Sequence, residues 1–229
     1  MEKLKNSLYL NLISDNRYQY ILTGLKNTLI ITVFSMLIGL VFGLIIALIR
    51  TTHDNTKKLK VLNKICELYI TVMRGTPVVV QLMILFFCVF TSRNTSGLFV
   101  AIVGFGMNST AYIAEIFRSG LMSVDNGQME AGRSLGFNYF ETLRYIIIPQ
   151  AFRIALPPLC SEFVALIKET AVAGYVAVQD LTKAGDIIRS RTYDPWTPLI
   201  VVALIYLTLT SILSYFVSKL ERRMKVDER

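Results

Sequence analysis

The chain has 229 residues, of which 53% are hydrophobic and 17% are charged, and its mean hydropathy is +0.51. In a soluble globular domain about a quarter of the residues are charged. This composition therefore excludes an ordinary water-soluble domain and favours a membrane protein. The net charge of +8 does not indicate nucleic-acid binding, because the basic residues are scattered between apolar runs and do not cluster on one polar face.

The first predicted element is a membrane-spanning helix at 28–49, an uncharged run that is long enough to cross a hydrocarbon core of about 30 Å. Within it, Gly39 and Gly43 form a Gly-x-x-x-Gly pair. Such a pair can mark a helix dimer, but it more often marks tight packing within one chain. We therefore expect another helix of the same chain to approach this one closely.

The second predicted span, 66–90, is interrupted. Its apolar part, 78–90, is too short to cross by itself and must extend back through Gly75 and Pro77. Proline removes a backbone N–H, which is tolerated at membrane depth only where other protein or a wet cavity covers the break. The third predicted span, 97–115, is continuous and becomes polar towards its end.

A polar insert at 123–149 follows the third span and is predicted to form two short helices. Asp125 and Gln128 have the spacing of a capping box, in which each side chain satisfies an unpaired backbone N–H at the start of a helix. Asn138 and Glu141 repeat the spacing. The insert therefore contains two independent helix starts.

The first helix of the insert is predicted to end at Gly136, which suits a left-handed C-cap. Gly132 lies four residues earlier, so one side of this helix carries small residues. A small, well-capped helix lets another surface approach its backbone closely. The alternative is an amphipathic helix that lies on the lipid headgroups, and the residues by themselves leave both readings open.

The fourth predicted span, 154–178, carries Glu162, Lys168 and Glu169 and is predicted to be interrupted near the last two. A charge near the centre of a span costs roughly 2.5–3.5 kcal/mol, against a gain of about 0.3–0.6 kcal/mol per leucine or isoleucine. These three side chains therefore face protein or water and not lipid. The fifth predicted span, 198–218, is uncharged.

The distribution of lysine and arginine predicts the orientation. With the N-terminus outside, the inner segments 50–64, 114–153 and 218–229 hold fourteen basic residues, and the outer segments hold eight. This excess places the C-terminus and the insert in the cytoplasm. The chain is thus predicted to be a single all-α transmembrane domain, 1–229, with about five spans.

The insert resembles a known signature. Glu130-Ala131-Gly132, then Gly136 and, after nine intervening residues, Ile146-x-Ile148-Pro149 are similar to the "EAA" motif of permease subunits of binding-protein-dependent ABC importers. The departures from the motif are Gly132 for its second alanine and Ile148 for its leucine. Four local stretches resemble the polar amino-acid branch of this family: RGTPVVVQL at 74–82, TAYIAEIFRSG at 110–120, SVDNGQMEAGRSLG at 123–136 and LPPLCSEFVALIKET at 156–170.

The resemblance covers about 20–223 and implies a type I importer permease in a bacterial plasma membrane. It implies that 123–149 is a coupling-helix loop that docks in a groove of a cytoplasmic ABC ATPase dimer. The further implied partners are a second permease subunit, in a homodimer or a heterodimer, an extracellular solute-binding protein and an amino-acid substrate. The implied coupling residues are Gln128, Glu130, Ala131, Gly132, Ser134, Leu135 and Gly136.

Two interrupted spans are the best sequence indication of a transporter's site near the midplane. Arg74 is suited to a substrate carboxylate because its guanidinium forms two parallel hydrogen bonds, and an acidic side chain is suited to an ammonium. The candidate residues of the substrate path are Arg74, Thr76, Gln81, Glu115, Glu162, Lys168 and Glu169. The alternative is that these charges form structural ion pairs that hold the second, third and fourth spans together.

The sequence contains no Gly-x-x-x-x-Gly-Lys-Ser/Thr loop, so ATP and Mg²⁺ are expected on the partner ATPase and no cofactor on this chain. No nucleophile–base pair or metal cluster is evident, and His53 is the sole histidine. We therefore expect a transporter subunit and not an enzyme. The alternative is a membrane channel or scaffold whose insert docks a cytoplasmic partner.

Overall fold

A computed structural model describes residues 2–226, which form helices joined by short connections and contain no β-strand. Met1 and 227–229 lie outside the described residues, and with them Arg229, which was counted for the orientation. The α-helices are α1 (Glu2–Leu8), α2 (Tyr18–Thr56), α3 (Lys60–Gly75), α4 (Val78–Ile84), α5 (Gly97–Met122), α6 (Asn126–Ser134), α7 (Tyr139–Thr142), α8 (Ile148–Glu169), α9 (Leu181–Thr192) and α10 (Trp196–Val226).

Short 3-10 or π-helical segments extend several of these helices. Wide π-turns follow α1, α4 and α7 at Tyr9–Ile13, Leu85–Val89 and Leu143–Ile147, and a 3-10 helix, Thr170–Val176, continues α8. A second 3-10 turn, Ser14–Asn16, joins the N-terminal segment to α2.

The described helices confirm the prediction of about five spans. Four are long and apolar enough to cross a membrane: α2, α5, the continuous helical segment Tyr139–Val176 and α10. The fifth is the pair formed by Lys60–Gly75 and Val78–Val89, which is bent by 108° at its break. The predicted interruption of the second span is thus confirmed as a sharp bend.

The fourth span is not broken where the sequence indicated. α8 runs through Lys168 to Glu169 and then tightens into the 3-10 helix, without a sharp bend. Its charges are accommodated on the surface of a continuous helix. α1 and α9 were not predicted, because both are short and more polar than the spans, and α2 begins at Tyr18, ten residues before the predicted 28.

α2 and α5 run parallel and form the centre of the bundle. Near their beginnings the Ser35 hydroxyl donates to the Ile102 carbonyl (3.0 Å), and near their ends Arg118 pairs with Asp54 (3.0 Å). The largest fully buried side chain, Phe105, belongs to α5. The two helices therefore fix the frame on which the others pack.

α8 runs antiparallel to α5. Gly120, near the end of α5, faces Ala151 and Ala155 near the beginning of α8, and Ser109 lies 3.5 Å from Glu162. α10 returns along α8 and is mostly exposed. We call the end of the bundle with the 56–60 and 123–147 connections the insert end. The end with 2–17, 90–96 and 177–195 is the opposite end.

The Gly39 and Gly43 pair packs within the chain. A Cβ at Gly43 would lie 2.8 Å from the Ile113 Cγ2 and 3.0 Å from the backbone nitrogen of Ala114. A Cβ at Gly39 would lie 2.7 Å from the Ile113 Cδ1. These distances are too short for a methyl group, so the missing side chains permit the close approach of α2 and α5.

We predict that Gly43→Ala destabilises the protein by about 1–3 kcal/mol, because the new methyl group overpacks the contact with α5. The midpoint of thermal unfolding in a fixed detergent should fall by several degrees. The matched control is Gly75→Ala, because a Cβ at Gly75 meets nothing within 4 Å. Equal midpoints for the two variants would show that the close approach does not limit stability.

Candidate functional site

The insert begins with a capped helix. The Asp125 carboxylate accepts from the backbone N–H of Gly127 (2.6 Å), so Asp125 is the N-cap of α6, as predicted. The capping box is incomplete, because the Gln128 side chain does not return to Asp125. Its carbonyl instead accepts from the Gln150 amide (3.4 Å), which links α6 to α8.

The helix end and the second helix start are as predicted. Gly136 has φ +92°, a conformation that L side chains rarely adopt. Its N–H donates to the Arg133 carbonyl (3.1 Å), and the next N–H, of Phe137, donates to the Gly132 carbonyl (3.2 Å). This pair of bonds is a Schellman motif.

A complete capping box starts α7. The Asn138 side chain accepts from the Glu141 N–H (3.0 Å), and the Glu141 carboxylate accepts from the Asn138 N–H (2.8 Å). Both ends of the turn between α6 and α7 are therefore fixed by hydrogen bonds. α6 is held rigidly with respect to α8, which enters the bundle.

The small residue Gly132 faces the chain itself, which corrects the expectation that it admits an outside surface. It is buried, and a Cβ there would lie 2.5 Å from the Thr142 Cγ2. Gly132 lets α6 pack on α7. The other predicted coupling residues are exposed: Gln128, Glu130, Ala131, Ser134, Leu135 and Gly136.

Large exposed apolar side chains surround α6, and two of them, Phe140 and Tyr145, were not among the predicted coupling residues. Leu135, Phe140 and Tyr145 are 78%, 68% and 62% exposed. Their signal in the sequence was their presence in an otherwise polar insert. Exposed apolar groups of this size on a polar surface are typical of a protein–protein contact.

The break between α3 and α4 is closed by side chains. The Gln81 amide donates to the Met73 carbonyl (2.9 Å), to the Thr76 carbonyl (3.1 Å) and to the Thr76 hydroxyl (2.8 Å). Asn108 of α5 donates to the Met73 carbonyl (3.2 Å) and to the Gln81 side-chain oxygen (3.1 Å). The carbonyl groups freed by the bend are thus satisfied inside the protein, as membrane depth requires.

Arg74 lies at the end of α3, beside the middle of α5. Its guanidinium carbon is 5.2 Å from the centre of the Tyr112 ring, a cation–π contact. No carboxylate of the described residues forms an ion pair with Arg74. An ion pair of Arg74 with Glu162 or Glu169, which the alternative of structural ion pairs allowed, is therefore not present in this conformation.

A cavity of about 370 Å³ lies between α3, α5 and α8. It is lined by Arg74, Tyr112, Glu115, Ile116, Ser119, Gly120, Ile154, Ala155 and Pro158. Two of the predicted path residues, Arg74 and Glu115, thus share one cavity. Its volume lies in the range of ligand sites in proteins.

Glu115 is also part of an ion-pair network that the sequence did not reveal. Arg50 of α2 pairs with Glu115 and lies 3.8 Å from Glu67 of α3. Arg118 and Asp54 form a neighbouring pair (3.0 Å). The network joins α2, α3 and α5 beside the cavity.

Glu162 lies one turn beyond Pro158, towards the opposite end. Its carboxylate is 3.5 Å from the Ser109 hydroxyl and forms no ion pair with the described residues. Glu169 lies two turns further along α8 and Lys168 is exposed. The structure therefore groups Arg74, Gln81 and Glu162 around the middle of α5 and leaves Lys168 and Glu169 apart from them.

Comparison with known proteins gives the family. Residues 39–226 match the family model of the binding-protein-dependent transport system inner membrane component. The chain is 42% identical over 207 residues to the probable amino-acid ABC transporter permease protein YckA of Bacillus subtilis (strain 168), covering 90% of this chain and 89% of that protein. It is 37% identical over 212 residues to the glutamine transport system permease protein GlnP of Escherichia coli (strain K12), covering 90% and 93%.

Solved structures agree with this result. The chain superposes with a TM-score of 0.82 and 38% identity on a crystal structure of an amino acid ABC transporter with histidines, covering 90% of this chain and 94% of that one. The MetNI methionine ABC transporter in an inward-facing conformation shares the fold, with a TM-score of 0.78 at 20% identity. The chain is therefore a multi-pass bacterial plasma membrane protein that belongs to the family of binding-protein-dependent transport system inner membrane components.

Proposed function

We propose that this chain is the permease subunit of an ATP-driven importer for polar or charged amino acids. The observation that carries the proposal is the cavity between α3, α5 and α8, which contains the guanidinium of Arg74. An amino acid presents both a carboxylate and an ammonium. The names of the relatives, which include permeases for amino acids and for glutamine, support the same substrate class.

In this proposal Arg74 binds the substrate carboxylate. The guanidinium lies over the Tyr112 ring and pairs with no carboxylate of the described residues, so its fork of donors can take a ligand. Glu162 is better suited to the ammonium than Glu115, because Glu115 already pairs with Arg50. Thr76 and Gln81 hold the bend in α3–α4 and thereby position Arg74.

The insert end faces the cytoplasm in this proposal, and the N-terminus lies outside. The excess of lysine and arginine in the segments at the insert end supports that orientation. α6 and the exposed apolar residues Leu135 and Phe140 then contact a cytoplasmic ATPase dimer, which binds ATP and Mg²⁺. The chain itself binds no cofactor.

The opposite end then meets an extracellular solute-binding protein, and a second permease subunit completes the path. The rigid connection from α6 through α7 into α8 supports a coupling role. A displacement of α6 by the ATPase is transmitted to α8, which lines the cavity at Ile154, Ala155 and Pro158. Alternating access follows when such a movement opens one end of the cavity and closes the other.

We predict that Glu130→Lys abolishes most ATP-dependent uptake, by at least about tenfold, because it reverses a charge on the docking face. Glu130 is exposed, so the fold is retained. The measurements are ATP-dependent uptake in right-side-out vesicles and co-purification of the ATPase subunit. The matched control is Lys219→Glu, an exposed charge reversal on α10. Normal co-purification and uptake in the Glu130 variant would contradict the docking role, and uptake that needs no nucleotide would favour a channel.

We predict that Arg74→Met raises the substrate concentration for half-maximal uptake about 10–100-fold, because it removes a charge-assisted contact worth about 1.5–3 kcal/mol. Arg74→Lys should have an intermediate effect, since lysine keeps the charge but loses the paired donors. Arg93→Met in the loop at the opposite end serves as the control, because Arg93 is exposed. If the Arg74 variants lower only the amount of protein in the membrane, the residue is structural.

A further inference from the structure

The N-terminal segment is fixed to the opposite end of the bundle by a buried side chain. Asn11 is 0% exposed. Its amide donates to the Asp194 carboxylate (2.8 Å) and to the Ser7 carbonyl (2.9 Å), and its side-chain oxygen accepts from the Thr192 hydroxyl (2.8 Å). All polar atoms of the Asn11 side chain thus have partners, which holds the segment in one orientation.

A second contact joins the segment to the first turn of α10. The Ser7 hydroxyl donates to the Asp194 carboxylate (2.8 Å) and lies 2.6 Å from the Thr197 hydroxyl. Asp194 also accepts from the backbone N–H of Trp196 (3.0 Å). The Thr197 and Ser7 hydroxyl groups lower the pKa of the Asp194 carboxyl below its ordinary value. Asp194 is therefore ionised at neutral pH and the contact is charge-assisted.

These contacts fix the depth of the segment relative to the membrane. α10 is a membrane span, and Trp196 and Thr197 are its first residues. Because Ser7 lies beside Thr197, residues 8–13 lie at the level where α10 leaves the hydrocarbon. The headgroup layer is only about 5–8 Å thick on each side of the bilayer. The segment is thus at the height of that layer.

The outward face of the segment is apolar. Tyr9, Leu10 and Ile13 are 63%, 47% and 55% exposed, whereas Leu12 packs inward against the helix cluster of α9 and α10. Near the same level Trp196 is 74% exposed. Tryptophan and tyrosine are enriched at the membrane–water interface, where one end of the ring is apolar and the other is wet.

We propose that residues 2–13 form an interfacial anchor that lies in the lipid headgroup layer at the opposite end of the bundle. Tyr9, Leu10 and Ile13 enter the boundary of the acyl chains, and the exposed Lys3 and Lys5 contact anionic headgroups. Lipid is the favoured occupant because the apolar face is continuous with the lipid-facing start of α10 at Trp196. The inference is independent of the transported substrate and of which end is cytoplasmic.

The test uses tryptophan fluorescence, since the sequence contains one tryptophan. In a Trp196→Phe background, Leu10→Trp places the single fluorophore on the anchor, in nanodiscs of phosphatidylcholine with phosphatidylglycerol. Lipids brominated near the headgroup end of the acyl chains should quench at least about half of its emission. The unmodified protein, which reports Trp196, should be quenched to a similar degree.

Phe140→Trp in the same background is the control, because Phe140 is 68% exposed on the insert and away from the bundle. It should be quenched by aqueous acrylamide and by less than about a tenth by the brominated lipids. Quenching of the Leu10→Trp variant by acrylamide alone would overturn the proposal and assign the face to water or to a soluble binding protein. Protection of this variant from both quenchers would overturn it in favour of contact with a second permease subunit.

Discussion

The bend between α3 and α4 is the constraint on which the site depends. A chain that turns by 108° within a membrane exposes carbonyl groups that lipid cannot satisfy. Gln81 and Asn108 supply the missing donors, and the Thr76 hydroxyl adds one to the Val72 carbonyl (2.8 Å). The bend is therefore stable, and it brings the end of α3, with Arg74, to the middle of α5.

This position gives Arg74 a different role from the other charges. Arg50 pairs with Glu115 and also lies close to Glu67, so these charges join three helices near the insert end. Arg74 contacts an aromatic ring and a cavity. A cation without a carboxylate partner is costly at membrane depth. A substrate carboxylate would offset that cost, which links the energetics of the fold to transport.

Much of the fold could be predicted from the sequence, because long uncharged runs have few other solutions in a membrane. The bend at Pro77 and the Schellman ending at Gly136 were also predictable, since proline and glycine restrict the backbone in known ways. The position of Gly132 was not, because a glycine shows that something comes close but not which surface does. Only the structure shows that Thr142 of the same chain fills that space.

The ion pairs were harder to predict, because charge partners on different helices depend on the rotation of each helix. Arg50 was read as a loop charge that sets the orientation, and it lies instead inside a long helix beside Glu115. The anchor at the N-terminus was missed because its apolar residues are too few for a span. The position of these apolar residues at the membrane surface depends on the contact between Asn11 and Asp194, which are 183 positions apart.

The proposed transport role requires that the cavity beside Arg74 be part of a water-filled substrate path. The test introduces a cysteine at Ser119, which lines the cavity, after Cys66, Cys88 and Cys160 are replaced by serine. The measurement is the rate at which this cysteine, in nanodiscs, reacts with a charged methanethiosulfonate reagent. Ser119→Cys should react readily, and substrate delivered with the binding protein and ATP should slow the reaction several-fold. A Ser119→Cys variant that reacts as slowly as a lipid-facing Val33→Cys, with or without substrate, would contradict it.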